Sequence, residues 1–282
     1  MRERAIGYML ASLALAGLVG MALQVCLSLV GCATTSNPAS YTFRTNDVRH
    51  GVVVGMSSSD VAGECPGADV DVAIEKQFCD ENGVVAYRLD SPKKLQVLAA
   101  LDAAIANLPG NALLVFSWSG HGGQQTDYDG DEEDGKDEVL YPKDAPLVDD
   151  ELAQRFAKLP ADAFVFCTFD TCNAGTMARR ALSTIKAINP RNFKARMIVF
   201  SGCADGKSSL GSSQGGFLTA AKVDAFRPGI TYAQWRDAIA AGMAAAQERA
   251  ARRGELRREY IQVPVFSSYN CGELDWNRQA YK

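Results

Sequence analysis

The sequence predicts an α/β fold with a six-stranded, mostly parallel sheet and helices on both faces. Six apolar runs, rich in Val and Phe, alternate for the most part with segments of helical spacing. Most runs are apolar at every position, which is typical of strands that are covered on both sides. The six runs are residues 51–55, 84–89, 112–118, 163–169, 196–201 and 263–268.

The segments between these runs show the period of amphipathic helices. Apolar side chains recur at steps of three or four over residues 70–78, 98–108, 152–156 and 235–243. Thr231 and Gln234 have the spacing of a capping box, so a long helix is expected to begin there. Gly254 is the expected end of that helix, because glycine commonly terminates helices.

The first 31 residues have the composition of a signal peptide. Arg2 and Arg4 precede a long apolar stretch that ends in Leu-Val-Gly-Cys at residues 29–32. That ending is similar to the bacterial lipobox, which implies a lipidated Cys32, a polar linker over 32–47 and a folded domain over 48–282. The alternative is a transmembrane anchor of the same stretch. Both predict an exported domain tethered to the cell envelope, on the periplasmic or outer-membrane face.

The overall charge bears on nucleic-acid binding, and the number of cysteines bears on disulfide formation. A net charge of −4 and a pI near 5.3 argue against nucleic-acid binding. Outside the N-terminal segment six cysteines remain, and an oxidising compartment would favour disulfides among them. The sequence does not determine which of them pair.

Two side chains with nucleophilic chemistry follow predicted strands directly. His121 comes after the third run and Cys172 after the fourth, 51 positions later. Because ligands of parallel sheets gather at the carboxyl ends of strands, both side chains are expected at one edge. A thiol beside an imidazole is the minimum for a cysteine nucleophile with its base. His50 precedes the first run, at the opposite edge, and is interpreted as structural. Cys167 lies inside its strand and is interpreted as a core residue.

The motifs around these residues resemble the caspase-like cysteine peptidases, within them the metacaspase and orthocaspase branch. In that family the His precedes the Cys by about 50 residues. The resemblance covers about residues 48–270 and implies a caspase-like three-layer sandwich. The matching segments, in the family's order, are 66–71 (Pro-Gly-Ala-Asp-Val-Asp), 119–124 (Ser-Gly-His-Gly-Gly-Gln), 129–138, 149–151, 170–175 (Asp-Thr-Cys-Asn-Ala-Gly), 201–205 and 262–267.

The resemblance implies a role for each residue of the expected site. Cys172 is the nucleophile and His121 its base, and the backbone N–H groups of Gly122 and Cys172 stabilise the oxyanion. Asp71 and Asp170, with Ser119 nearby, form a pocket for Arg or Lys, since a carboxylate suits a guanidinium. Two alternatives stay open: Asp69 competes with Asp71 for its role, and Asp170 could instead cap the turn that follows it.

Calcium activation is a second implication, and an incomplete one. Asp137, Asp149 and Asp150 match three of the family's calcium positions, but the fourth is Arg179, which cannot bind a cation. The acidic loop 127–138 also departs from the EF-hand pattern, since Glu132 occupies the position that requires glycine. No cofactor is therefore required by the sequence, and Ca²⁺ is an optional activator.

The predicted function is a cysteine endopeptidase that cleaves peptides and proteins after Arg or Lys. Self-processing is expected in the segment between Cys172 and the next strand, which contains Arg179, Arg180, Lys186, Arg191 and Lys194. The main alternative is a catalytically silent caspase-like scaffold or binding lipoprotein of the envelope. It is favoured by Asn173 and Ala174, where metacaspases usually have His-Ser. A cysteine hydrolase or transpeptidase of altered reaction type is a third possibility.

Overall fold

The computed structural model describes residues 48–127, 135–172, 195–204, 209 and 211–281. Its centre is a six-stranded sheet, and each strand corresponds to one apolar run of the sequence. The strands are β1 (Arg49–Gly55), β4 (Val85–Asp90), β5 (Leu113–Ser119), β9 (Phe164–Asp170), β10 (Arg196–Ser201) and β13 (Val265–Tyr269). Short strands fill the intervals, namely β2 (Ser58–Ser59), β3 (Gly63–Glu64), β6 (Gly122–Thr126), β7 (Lys136–Leu140), β8 (Leu147–Val148), β11 (Gly211–Ser212) and β12 (Gly215–Gly216).

The spatial order of the sheet is β13-β10-β9-β5-β1-β4. All neighbours are parallel except β13, which lies antiparallel to β10 at one edge. The predicted α/β fold and the mostly parallel six-stranded sheet are confirmed. The order also makes β5 and β9 direct neighbours, so the chain segments that follow them leave the sheet side by side.

Helices cover both faces of this sheet. They are α1 (Ala68–Glu81), α2 (Lys94–Ala106), α3 (Asp149–Phe156), α4 (Phe217–Ala225), α5 (Tyr232–Arg252) and α6 (Glu273–Trp276), with a 3-10 turn at Arg258–Tyr260. Alternate residues of β5 enter two separate cores. Leu114 and Phe116 pack with side chains of α2 and α3, whereas Val115 packs with α1, α4 and the first half of α5.

The helices form where the sequence predicts them, but the buried face of α1 is not the predicted one. The capping box of α5 is present, because Thr231 Oγ1 and Gln234 Oε1 accept each other's backbone N–H. On α1 the expected apolar stripe was Val70, Ile74 and Phe78, but Val70 and Ile74 are only half-buried. Instead α1 buries Asp71, Val72, Glu75 and Cys79 along with Phe78, so two carboxylates lie on its inner face.

Residues 244–261 belong to a different compact unit from the one that contains the six-stranded sheet. Within it the carboxylate of Glu248 pairs with Arg252 and Arg258. The helix ends at Arg252, and Gly254 follows in a left-handed conformation with φ of +74°.

The predicted signal peptide, Cys32 and the linker up to residue 47 lie outside the described residues. Across the part of the chain that the structure covers, no helix has both the length and the apolarity to cross a membrane. The six cysteines in the described ranges, Cys65, Cys79, Cys167, Cys172, Cys203 and Cys271, are all in the thiol form, and none of these six is joined in a disulfide.

Candidate active site

The ends of β5 and β9 bring the predicted nucleophile and base to one edge. Ser119 and Asp170 are the last residues of these strands and are register partners across the ladder. His121 therefore follows β5, and Cys172 follows β9, by two residues each. Both side chains line the same cavity. The pair thus lies where its position after two strand ends predicted it.

The orientation of His121 is fixed by a backbone group. Its Nε2 atom lies 2.9 Å from the carbonyl oxygen of Glu64, at the end of the β2–β3 hairpin. A carbonyl only accepts, so Nε2 carries the hydrogen and Nδ1 is left as the basic nitrogen. The thiol of Cys172 is half-buried, and its Sγ atom is 3.8 Å from the carbonyl oxygen of Ser209. Among the described residues, the His121 imidazole thus has a backbone carbonyl group as its hydrogen-bond partner.

Gly122 lies directly against the backbone of the nucleophile. A Cβ atom at this position would be 2.5 Å from Thr171 Oγ1 and 2.6 Å from the carbonyl oxygen of Cys172. No side chain larger than hydrogen fits without moving one of the two segments. This contact fixes the spacing between the segment after β5 and the segment after β9.

Two buried carboxylates line the floor of the cavity. Asp170 accepts hydrogen bonds from the backbone N–H and hydroxyl of Thr219, at 2.9 and 3.0 Å, and from Ser209 Oγ at 2.8 Å. Asp71 accepts from Ser119 Oγ at 2.6 Å and from the backbone N–H of Gly216 at 2.9 Å. Together these five donors orient both carboxylates at the lining of the same cavity.

The proximity of these carboxylates opposes ionisation of both. Burial, together with the charge of Asp170, raises the pKa of Asp71 from 3.8 to about 7. Burial likewise raises the pKa of Asp170, and its hydrogen bonds to Thr219 and Ser209 act in the opposite direction. Because each carboxylate opposes ionisation of the other, a cation that enters the cavity would stabilise their ionised forms.

Comparison with known proteins agrees with this geometry. Residues 72–180 match the family model described as the metacaspase, peptidase C14 domain. Metacaspase-1 of Candida glabrata is 42% identical to this chain over 91 residues, which are 30% of this chain and 23% of that protein. Over this stretch the chain thus resembles the peptidase domain of metacaspases. It spans less than half the length of the curated relatives it matches.

Solved structures show a similar fold. A structural-genomics protein of Geobacter sulfurreducens superposes with a TM-score of 0.64 at 21% identity, covering 83% of this chain and 98% of that one. Caspase-1 of Spodoptera frugiperda superposes with a TM-score of 0.52 at 13% identity, covering 84% and 93%. At these identities the likeness concerns the fold alone.

The cavity contains a second thiol. Cys65 lines it together with Cys172, and the sequence pattern assigned no role to Cys65. Burial, with the charges of Asp71 and Cys172, raises the pKa of Cys65 to about 11. Cys65 is therefore a protonated thiol at neutral pH, which distinguishes it from a reactive nucleophile.

The structure also places the remaining candidates from the sequence. Asp69 is exposed on α1 whereas Asp71 is 2% exposed and faces the cavity, which decides between them. His50 is fully buried at the amino end of β1, where its Nδ1 donates to the carbonyl of Ala104. Cys167 is fully buried inside β9. The interpretation of both as structural residues agrees with these positions.

The three calcium candidates lie on the β7–α3 side of the domain. Asp137 is on β7, where one of its oxygens accepts from Gln125 Nε2 at 3.1 Å, and Asp149 and Asp150 begin α3. Within the described ranges, no group of three or more His, Cys, Asp or Glu side chains could hold a metal ion. Arg179, the fourth position, lies outside the described residues. Calcium activation through Asp137, Asp149 and Asp150 therefore stays a prediction.

Two residues of the pocket were missed by the sequence analysis. Thr219 and Ser209 donate hydrogen bonds to Asp170, which caps the first turn of α4; the alternative drawn from the sequence was a cap on the turn that follows β9. The signal was available in the pair Gly215–Gly216 before a helical segment. A Cβ atom at Gly216 would lie 2.1 Å from Asp170 Oδ2, so the glycine permits the close approach.

Proposed function

We propose that this protein is a cysteine endopeptidase that cleaves after Arg or Lys, with Cys172 as nucleophile and His121 as base. One observation supports this most strongly: the thiol, the imidazole and the two carboxylates Asp71 and Asp170 line a single cavity at the carboxyl edge of the sheet. The match of residues 72–180 to the metacaspase peptidase model supports the reaction class. Proteins and peptides with a basic residue at the cleaved position are the proposed substrates.

The reaction begins with proton transfer from the Cys172 thiol to Nδ1 of His121. The sulfur forms a bond to the carbonyl carbon of the substrate, and the carbonyl oxygen becomes an oxyanion. We assign its stabilisation to the backbone N–H groups of Gly122 and Cys172, whose segments are in contact. The C–N bond then breaks, and the amine leaves with the proton from His121. Water, deprotonated by the same imidazole, hydrolyses the thioester and restores the thiol.

The carboxylate pair provides the preference for cations. A guanidinium or ammonium group that enters the cavity neutralises charge that the two carboxylates otherwise cannot both carry. An acidic side chain would add a third negative charge to a buried site, at large cost. The pocket therefore favours Arg and Lys over Asp through the charge of its floor.

Self-processing and membrane attachment extend the proposal. The segment between Cys172 and Arg196 contains five basic residues that such a pocket would accept, at positions 179, 180, 186, 191 and 194. We propose cleavage after one or more of them. We also propose export to the cell envelope and lipid attachment at Cys32, on the strength of the sequence of residues 1–32.

The experiment is a matched set of fluorogenic peptides with Arg, Lys or Asp at the cleaved position. Wild type is expected to cleave the Arg and Lys peptides and to leave the Asp peptide intact, and Cys172→Ala is expected to be inactive. Turnover by Cys172→Ala at the wild-type rate would rule out Cys172 as nucleophile. A thiol-reactive Arg peptide probe distinguishes a silent scaffold: no labelling of Cys172 under reducing conditions would favour that alternative. Mass spectrometry of the products separates hydrolysis from transpeptidation.

A further inference from the structure

A buried ion pair lies beneath the carboxylate pocket. Lys222 on α4 is fully buried, and its Nζ atom pairs with a carboxylate oxygen of Glu75 on α1, which is 2% exposed. The same ammonium lies 3.2 Å from Thr168 Oγ1 and 5.8 Å from the ring centres of Phe78 and Phe166. Two charges in an apolar layer are expensive to desolvate, and well-packed apolar residues often replace such a pair without loss of stability. Stability alone is therefore a weak explanation for its presence.

Each member of the ion pair is one helical turn from a residue of the pocket. Glu75 follows Asp71 by four positions on α1, so the two side chains share a face. Lys222 follows Thr219 by three positions on α4, and Thr219 holds Asp170 with two hydrogen bonds. The negative member is thus linked to Asp71, and the positive member to Asp170. The two carboxylates are chemically alike, but one is linked to a negative group and the other to a positive group.

We propose that the Glu75–Lys222 pair divides the charge of the pocket unequally, so that in the empty pocket Asp170 carries the negative charge and Asp71 the proton. Both members are positioning residues: they touch no substrate and act through the two carboxylates. The inference rests on the proposed function, since a cationic substrate side chain would find one ionised carboxylate and displace a proton from the other.

Local charges and donors agree with this division. The charge of Lys222 lowers the pKa of Asp170, whereas the charge of Glu75 raises that of Asp71. Asp170 also has three hydrogen-bond donors, against the two groups that donate to Asp71. Donors and a nearby cation both favour the ionised form. Among the described residues, other titratable groups that interact with the ion pair or with the carboxylates include Cys79, Tyr281 and Cys65, whose pKa values are raised chiefly by burial, so all three are neutral near pH 7.

The direct test measures the two carboxyl groups without any turnover. Carboxyl ¹³C resonances of Asp71 and Asp170 are titrated in Cys172→Ala and in the same chain with Glu75→Gln and Lys222→Met. The double change removes both charges while keeping the volume, so the fold is expected to persist. The account predicts opposite shifts: the apparent pKa of Asp71 falls and that of Asp170 rises, each by about half a unit or more. Shifts in the same direction, or none, would overturn the proposal.

Activity provides a second readout that a purely structural pair would not move. Glu75→Gln alone removes the negative neighbour of Asp71, so the acidic limb of kcat/KM for Arg peptides should move to lower pH. In the double variant Glu75→Gln, Lys222→Met, the acidic limb of kcat/KM should move back to higher pH. The matched control is Glu151→Gln, which removes the half-buried ion pair with Lys94 away from the pocket and should leave the limb in place. An acidic limb that is identical in all variants contradicts the proposal. A wild type without activity on Arg peptides argues against the proposed function and leaves the resonance test valid.

Discussion

The hydroxyl of Ser119 donates a 2.6 Å hydrogen bond to the carboxylate of Asp71, which lies 48 positions earlier in the chain. The bond joins the last residue of β5 to the first turn of α1. His121 follows this last residue by two positions. It is a charge-assisted bond when Asp71 is ionised, and such bonds are stronger than those between neutral groups. The proposed specificity pocket and the proposed catalytic base are therefore held by the same strand end.

Replacing Ser119 by Ala should weaken binding of Arg substrates more than it slows the chemical step. A hydrogen bond to a charged group contributes about 1.5–3 kcal/mol, so KM is expected to rise roughly tenfold or more while kcat changes little. The acidic limb of kcat/KM should also move to higher pH, because the lost bond favoured the ionised form of Asp71. Ser268→Ala is the control, since its hydroxyl accepts a hydrogen bond from Trp276 Nε1 at 3.1 Å and neither residue lines the cavity. A fall in kcat with unchanged KM contradicts the assignment.

Stability should depend on pH through Asp71. Its folded pKa of about 7 lies above its unfolded value of 3.8, so the folded state binds more protons between these limits. The contribution to stability is complete below about pH 4 and is lost as the pH rises through 7. Urea unfolding of Cys172→Ala from pH 4 to 8 should show this decline, and the added change Asp71→Asn should reduce it. An equally steep decline in both proteins would show that other groups cause it.

Gly122→Ala should impair catalysis strongly. The new methyl group would overlap Thr171 Oγ1 and the carbonyl of Cys172, so the backbone at the nucleophile must shift. Shifts of this kind commonly cost about 1–3 kcal/mol of stability, and a misplaced nucleophile can lose about 100-fold in rate. Gly242→Ala on α5 is the matched control, because no neighbouring atom lies within 4 Å of the place its methyl group would take. Wild-type kcat in Gly122→Ala would contradict the contact.

Alkylation should distinguish the two thiols of the cavity. With a pKa of about 11, fewer than about one in a thousand Cys65 thiols is ionised at pH 7.5, and only the thiolate reacts. Iodoacetamide is therefore expected to modify Cys172 well before Cys65, as measured by peptide mass spectrometry. Cys65→Ser should retain activity and the same modification at Cys172. Faster modification of Cys65 than of Cys172 would contradict the assigned roles of the two thiols.

The catalytic pair could be predicted from the sequence because its placement depends on local patterns. His121 and Cys172 follow uninterrupted apolar runs, and the order of a parallel sheet brings such ends together. The same reasoning separated His50, which precedes its strand. These inferences need only the direction of each strand, which the sequence contains.

The buried charges could not be predicted in the same way. Glu75 and Lys222 have the side chains of surface residues, and their burial depends on a contact between α1 and α4, far apart in sequence. For the same reason the apolar stripe of α1 was misplaced, since Glu75 and Asp71 occupy its inner face. Thr219 was missed because it reaches Asp170 only through the packing of α4 on the sheet edge. Long-range pairing of polar groups leaves no periodic signal in the chain.

In the proposed mechanism, buried carboxylates select a cationic side chain for cleavage by Cys172. The most direct measurement of this selection compares kcat/KM for two peptides that differ only in Arg or citrulline at the cleaved position, which have nearly the same shape but different charge. Wild type is expected to prefer Arg by about 100-fold or more, because the charge binds in a desolvated pocket, and Asp170→Asn is expected to lose most of this preference. Equal kcat/KM for the two peptides in wild type would contradict it.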